Sequence, residues 1–256
     1  MPAAKTRSAV VAAIPARYAS ERLPGKALRL LAGRPMIEHV YRRARQAEGL
    51  DRVVVLTDDE RIAAAVTGFG GEVVMTPADC ASGTDRIAHA ARGWDAAAIV
   101  NVQGDEPLID PAAIAAVARH LREHPGDPMV TLASPAEEHE KDDPNAVKVV
   151  RDRRGYALYF SRARLPFPRR PGAAPVWKHV GVYGYQRAAL LELAALAPAP
   201  LETSEALEQL RALEHGIAIR VLEVARSEPG VDTEDDLARA EARLRELQRE
   251  TLQPST

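Results

Sequence analysis

Three cations stand close together in one short stretch of the chain: Arg17, Arg22 and Lys26 within VVAAIPARYASERLPGK (10–26), threaded through Ala19, Ser20, Pro24 and Gly25. Such a loop is built to surround an anion. Guanidinium groups grip phosphate oxygens bidentately, a lysine ammonium adds a compact charge, and a glycine lets backbone N–H groups come close. The run before it, Val10 to Ile14, is apolar and too short for a helix, so it reads as a buried parallel strand that breaks at Pro15. Open α/β sheets hold their ligands in loops of this kind, past the carboxyl ends of the strands. The stretch is neither G-x-x-x-x-G-K-[ST] nor G-x-G-x-x-G, because Ser20 stands where the first glycine belongs and Ala27 follows the lysine. P-loop ATPase and nicotinamide dehydrogenase chemistry are therefore not indicated.

Two carboxylates further along have the right setting for a hard cation. Asp105, in NVQGDEP (101–107), follows an apolar strand and is the first metal candidate, with a turn cap by Asp105 or Glu106 as the competing reading. Asp232, in GVDTEDDL (230–237), precedes an acidic first helical turn, and either caps that helix or supplies a second metal carboxylate. Between them in type, Ser82, Gly83 and Thr84 offer hydroxyls and bare backbone at a helix start, suited to a sugar or a base edge or to a simple N-cap.

The elements that must position these groups follow from periodicity. Helices are predicted over 35–48, 60–67, 86–92, 111–123, 186–195, 202–214 and 233–249, and strands over 52–57, 72–75, 97–102 and 217–224. Successive βα units with short connections indicate a doubly wound sheet. From Met129 the pattern changes: strand-like pieces at 129–133, 146–151, 157–160 and 179–185 lie close together, as in a mixed-sheet extension or an antiparallel flap at about 129–186. The stretch 165–176, rich in proline and arginine, is a loop.

Composition narrows the function classes. The chain has 256 residues, 46% hydrophobic and 27% charged, enough for one large α/β domain, and its formal net charge of −2 advertises neither nucleic acid nor an anionic membrane. The one cysteine, Cys80, forms no internal disulfide and reads as a packing residue. MPAAKTRS lacks the apolar core of a signal peptide and no apolar run is long enough to span a bilayer, so a cytoplasmic protein is expected.

Taken together, the segments IPARYASERLPGK, GRPMIEHV, VVVLTDD, GGEVVMT, SGTDR, IVNVQGDEP, DPNAVKVV, GYALYFSRARLP, KHVGVYGY, PLETSEALEQLR and GVDTEDDL, collinear from residue 10 to about 240, resemble one family. It is the cytidylyltransferases that activate 3-deoxy-manno-octulosonate (Kdo), also called CMP-Kdo synthetases. The resemblance implies a nucleotidyltransferase mixed sheet flanked by helices, with a smaller β-rich dimerisation flap, and a homodimer. It implies transfer of CMP from CTP to the C2 hydroxyl of Kdo for lipopolysaccharide biosynthesis, with Mg²⁺. By matching position, Arg17 and Lys26 would hold the CTP phosphates with Ser20 and Arg22 beside them, and Ala16, Ser82 and Gln103 would contact the nucleoside. Asp105 and Asp232 would coordinate Mg²⁺, making Arg17, Lys26 and the two aspartates the catalytic group. Arg162, His179, Tyr183, Glu208 and Gln209 would bind the sugar acid. On their own residues these five also fit a packed strand and a solvated helix face. Cys80 departs from the family, which usually has histidine there. A related enzyme loading another sugar acid, such as a sialic acid, and a silent nucleotide-binding regulator are the other readings.

Overall fold

A computed structural model describes residues 9–19, 23–170, 172 and 174–252. In chain order the strands are β1 (Val10–Pro15), β2 (Leu30–Leu31), β3 (Arg34–Pro35), β4 (Arg52–Thr57), β5 (Val73–Met75), β6 (Ala98–Asn101), β7 (Met129–Pro135), β8 (Lys148–Arg151), β9 (Ala157–Ser161), β10 (Trp177–Gln186) and β11 (Ile219–Glu223). The helices are α1 (Met36–Gln46), α2 (Glu60–Gly68), α3 (Gly83–Ala91), α4 (Pro111–Glu123), α5 (Arg187–Ala195), α6 (Pro200–Glu205), α7 (Gln209–Glu214) and α8 (Glu234–Leu252). The main sheet runs β11-β7-β10-β6-β1-β4-β5. β1 pairs in parallel with β4 and β6, β4 with β5, and β7 with β11, whereas β10 is antiparallel to both its neighbours.

Side chains that alternate along β1 explain why both faces are covered. Val10, Ala12 and Ile14 join a core with α1 and α4 residues such as Val40 and Ile114, and Val11 and Ala13 join a second core with Ile87 of α3 and Leu190 of α5. A third cluster packs Leu237, Ala240 and Leu244 of α8 onto Leu23, Leu31, Met36 and Leu108, and so ties the chain around residue 231 to the loop after β1.

Two expectations change in detail. Within the predicted 129–186 flap, β7 and β10 are members of the main sheet, and only the β8–β9 hairpin stands off its path. The reason is burial: six of the seven residues of β7 are buried, as in a central strand. The single helix predicted over 202–214 is two helices, because Ala206 adopts a left-handed φ of 51° between α6 and α7. Elsewhere the predicted elements match within a few residues, except that the two-residue hairpin β2–β3 carried no sequence signal. Among the described residues no helix is long and apolar enough to cross a membrane.

Candidate active site

The parallel strands β1, β4, β5 and β6 bring their carboxyl ends to one edge of the sheet, and a cleft of about 890 Å³ opens there. Ala16, Arg17, Lys26, Ser82, Gln103, Asp105 and Asp232 all line it. Ser20 and Arg22 lie outside the described residues. Two glycines let the surrounding loops meet. A Cβ on Gly104 would lie 2.9 Å from the Pro15 carbonyl oxygen, so the loops after β1 and β6 can touch only with glycine at this place. Gly25, at φ 67°, turns the chain back so that its N–H donates to the Tyr18 carbonyl at 3.1 Å.

Lys26 is the meeting point of the charged groups. Its Nζ donates to Asp105 Oδ2 at 2.6 Å and to Asp232 Oδ1 at 3.0 Å. Burial alone would lower the lysine, but the two carboxylates outweigh it and hold the ammonium above its ordinary range. The main chain fixes the two aspartates together as well, since Val231 N–H donates to the Asp105 carbonyl at 2.9 Å. The capping alternative for Asp232 resolves in favour of its neighbour. Thr233 Oγ1 accepts from Asp236 N–H at 3.2 Å while Asp236 Oδ2 accepts from Thr233 N–H at 2.9 Å, a reciprocal cap that leaves the Asp232 carboxylate aimed at Lys26.

Ser82 and Thr84 have separate duties. Ser82 Oγ caps α3 by accepting from Asp85 N–H at 3.1 Å, and Thr84 Oγ1 donates to Glu208. Cys80, expected in packing, is half-exposed on the cleft wall. Its neighbours Ala81 and Ser82 line the same cleft.

The five residues matched to the sugar acid lie beside the cleft rather than along it. β10 carries two extra residues, Gly181 and Val182, between the positions that pair with Leu132 and Thr131. This irregularity turns His179 and Tyr183 toward each other with ring centroids 5.2 Å apart. Thr131 Oγ1 lies 2.9 Å from His179 Nε2 and is also within hydrogen-bond distance of the Val182 carbonyl at 2.9 Å and the Val180 carbonyl at 3.3 Å, so it ties the His179 ring to the irregular stretch of β10. His179 is a neutral imidazole because burial holds its pKa down to about 3. Burial also pushes the Tyr183 and Tyr185 phenols well up. Because the helix breaks at Ala206, Glu208 stands at the start of α7 and reaches Thr84, and Gln209 is buried at 5% exposure. Arg162 acts as a staple here: it donates to the main-chain carbonyls of Pro144, Glu205 and Ala206.

Sequence reasoning missed two groups. Glu106 lies between the charged cleft and the aromatic chamber, 3.2 Å from where a Gly181 Cβ would sit. Burial first and the Asp105 charge second push it up to about 8, against Lys178. Arg86, one turn into α3, is buried on the cleft wall. The signal for both was present, in the charged residue after Asp105 and in the last residue of SGTDR, but neither had a partner in sequence.

A carboxyl-edge cleft on a mixed sheet with one antiparallel central strand is an architecture shared with α/β nucleotidyltransferases. A nucleotidyl transferase from Methanothermobacter thermautotroptrophicus shares this fold, with a TM-score of 0.61 over 93% of this chain and 99% of that one at 17% identity. The family model for cytidylyltransferases matches residues 11–219. A 3-deoxy-manno-octulosonate cytidylyltransferase of Syntrophotalea carbinolica is 54% identical over 93% of this chain and 99% of its own length. An 8-amino-3,8-dideoxy-manno-octulosonate cytidylyltransferase of Shewanella sp. (strain ANA-3) is 52% identical over 90% of this chain and 96% of its own. A solved CMP:2-keto-3-deoxy-manno-octonic acid synthetase complexed with CTP has a TM-score of 0.91 at 44% identity, covering 94% of this chain and 100% of that one. The chain belongs to the cytidylyltransferase family, in its 3-deoxy-manno-octulosonate branch.

Proposed function

We propose that this enzyme transfers CMP from CTP to the anomeric C2 hydroxyl of Kdo, releasing pyrophosphate and giving CMP-Kdo for lipopolysaccharide assembly. The observation that carries the reading is the Lys26–Asp105–Asp232 cluster on the carboxyl-edge cleft, in a chain whose relatives are named for this chemistry.

The sugar oxygen attacks the α-phosphorus as the bond to the β-phosphate oxygen breaks. Arg17 and Lys26 neutralise the departing pyrophosphate, and Ala16, Ser82 and Gln103 hold the nucleoside. His179, Tyr183, Glu208 and Gln209 supply uncharged or acceptor groups for the sugar hydroxyls, and Arg162 fixes the β9 end of that chamber. The donor set fits Mg²⁺: two hard carboxylate oxygens converge on a cationic group, here the Lys26 ammonium. No cluster of three or more potential ligands exists among the described residues, so substrate phosphates would complete the shell. When bound, the ion would polarise the α-phosphate and lower the pKa of the sugar hydroxyl. A homodimer through the β8–β9 hairpin fits Leu158, 62% exposed on β9, and light scattering would check it.

Pyrophosphate release with CTP, UTP and ATP against Kdo, its 8-amino analogue and a sialic acid tests the assignment. CTP with Kdo should be fastest. A faster 8-amino sugar would favour the second reading that the Shewanella relative raises, and a faster sialic acid or another nucleotide would refute both.

A further inference from the structure

Arg61, the second residue of α2, holds its guanidinium carbon over the Tyr18 ring, 3.3 Å from the ring centre. The arginine is itself fixed from below. Asp59, the cap of α2, accepts from Arg61 N–H at 2.9 Å, from its Nε at 3.0 Å and from its Nη2 at 2.6 Å. Asp59 N–H in turn donates to Thr57 Oγ1 at 3.2 Å, and Thr57 is the fully buried last residue of β4. Tyr18 lines the cleft, and its ring rests on the neck of the loop after β1. A Cβ on Gly25 would lie 3.2 Å from Tyr18 Cε2, Cζ and Oη, and Gly25 N–H donates to the Tyr18 carbonyl at 3.1 Å. Lys26 is the next residue. A continuous run of contacts thus leads from the end of β4, through Asp59, Arg61 and Tyr18, to the main chain that carries Lys26.

We propose that Arg61 is a positioning residue for phosphoryl transfer: it clamps the Tyr18 ring against Gly25 and so fixes where the Lys26 main chain sits relative to the triphosphate. This rests on the reading of the cleft as a CTP site. An exposed ion pair such as Asp59–Arg61 contributes little by itself, and Arg61 does not line the cleft. What the pair achieves is orientation, since a guanidinium held by two bonds to one carboxylate presents its plane to the ring with little freedom left to lose. The side-chain bonds of Lys26 to Asp105 and Asp232 fix its tip, whereas the Tyr18–Gly25 contact fixes its root. A group that meets developing charge needs both, because small displacements cost much of its effect.

The experiment measures kcat and KM for CTP and for Kdo by pyrophosphate release in wild type, Arg61→Gln, Arg61→Lys, Tyr18→Phe, Tyr18→Leu and the double variant Arg61→Gln/Tyr18→Leu. Arg61→Gln and Tyr18→Leu should each lower kcat/KM for CTP about tenfold, the scale of one cation–π contact shielded from water, and leave the Kdo KM unchanged. The double variant should be little worse than either, because both remove the same contact. Arg61→Lys keeps a cation for the ring and should recover part of the loss, and Tyr18→Phe keeps the ring and should stay near wild type. Thermal unfolding checks that each variant is folded, and if Tyr18→Leu is not, the contrast between Arg61→Gln and Arg61→Lys decides. Unchanged kcat/KM for CTP in folded Arg61→Gln overturns the proposal. So do losses that multiply in the double variant, which would mean that Arg61 touches the triphosphate itself, and a Tyr18→Phe loss as large as that of Tyr18→Leu. If wild type prefers another nucleotide, the CTP reading fails and the same ratios are read on that nucleotide. If it turns over none, the proposal falls with the reading.

Discussion

The cleft beyond β1 and the chamber behind the β10 irregularity share one sheet, yet they handle charge in opposite ways. In the cleft the Lys26 ammonium is paired with two carboxylates, Asp105 and Asp232, at side-chain exposures of 17%, 33% and 46%. In the chamber burial removes charge: His179 stays neutral with its pKa held to about 3, and the Tyr183 and Tyr185 phenols are pushed up. The difference matches what each side must bind. A triphosphate with its cation demands fixed charges, whereas a ring of hydroxyls demands donors and acceptors that cost little to desolvate. Glu106 stands on the boundary and shares both characters, a carboxyl pushed to about 8 beside an aspartate that is part of the charged set.

The comparison breaks most sharply at Lys26. Lys26→Ala should lower kcat by roughly a hundredfold, the usual loss on removing one preorganised contact to developing charge, and should leave the Kdo KM nearly unchanged. Steady-state kinetics decide it: normal turnover with only weaker Kdo binding would place Lys26 with the sugar. The reverse signature is expected from the chamber. Glu208→Gln keeps the Thr84 contact in weaker form, so the Kdo KM should rise about tenfold while the CTP KM holds. A change in the CTP KM alone would erase the division between the two regions.

A smaller effect tests how the chamber stays neutral. An imidazole that takes its proton at pH 6.5 when unfolded but only near 3 in the fold binds fewer protons in the native chain across that window. Its contribution to stability is therefore whole above pH 6.5 and is lost progressively as the pH falls toward 3. His179→Phe should flatten this acid limb in denaturant unfolding measured from pH 7 to pH 4. An unaltered limb would mean that His179 is not held neutral.

The same contrast explains what could be read from the chain. The cleft is written in contiguous stretches, because a strand, a turn and the charges it carries occupy neighbouring positions. Asp105 and Asp232 were legible as carboxylates following strands, although only the fold shows that Val231 hydrogen-bonds to the Asp105 main chain. The chamber is written in tertiary context. Nothing in KHVGVYGY announces two extra residues opposite Thr131, and nothing in PLETSEALEQLR announces a left-handed Ala206, yet these place His179 and Glu208. Whether the strands after Met129 extend the main sheet or form a flap stays open in the sequence for a related reason. Short strands separated by turns look alike whether they finish the main sheet, as β7 and β10 do, or leave it, as β8 and β9 do.

The claim on which everything rests is that Asp105 and Asp232, far apart in sequence, act as one cation-holding pair around Lys26. The direct measurement is a double-mutant cycle of Asp105→Asn and Asp232→Asn, reading Mg²⁺-dependent turnover and thermal stability on the same proteins. Groups acting as a unit are non-additive, so each single variant should nearly abolish turnover, the double variant should be little worse than either, and all should remain folded. Independent losses that multiply in the double variant, or an Asp232→Asn protein with near-normal Mg²⁺ response and only a lower melting temperature, would contradict it.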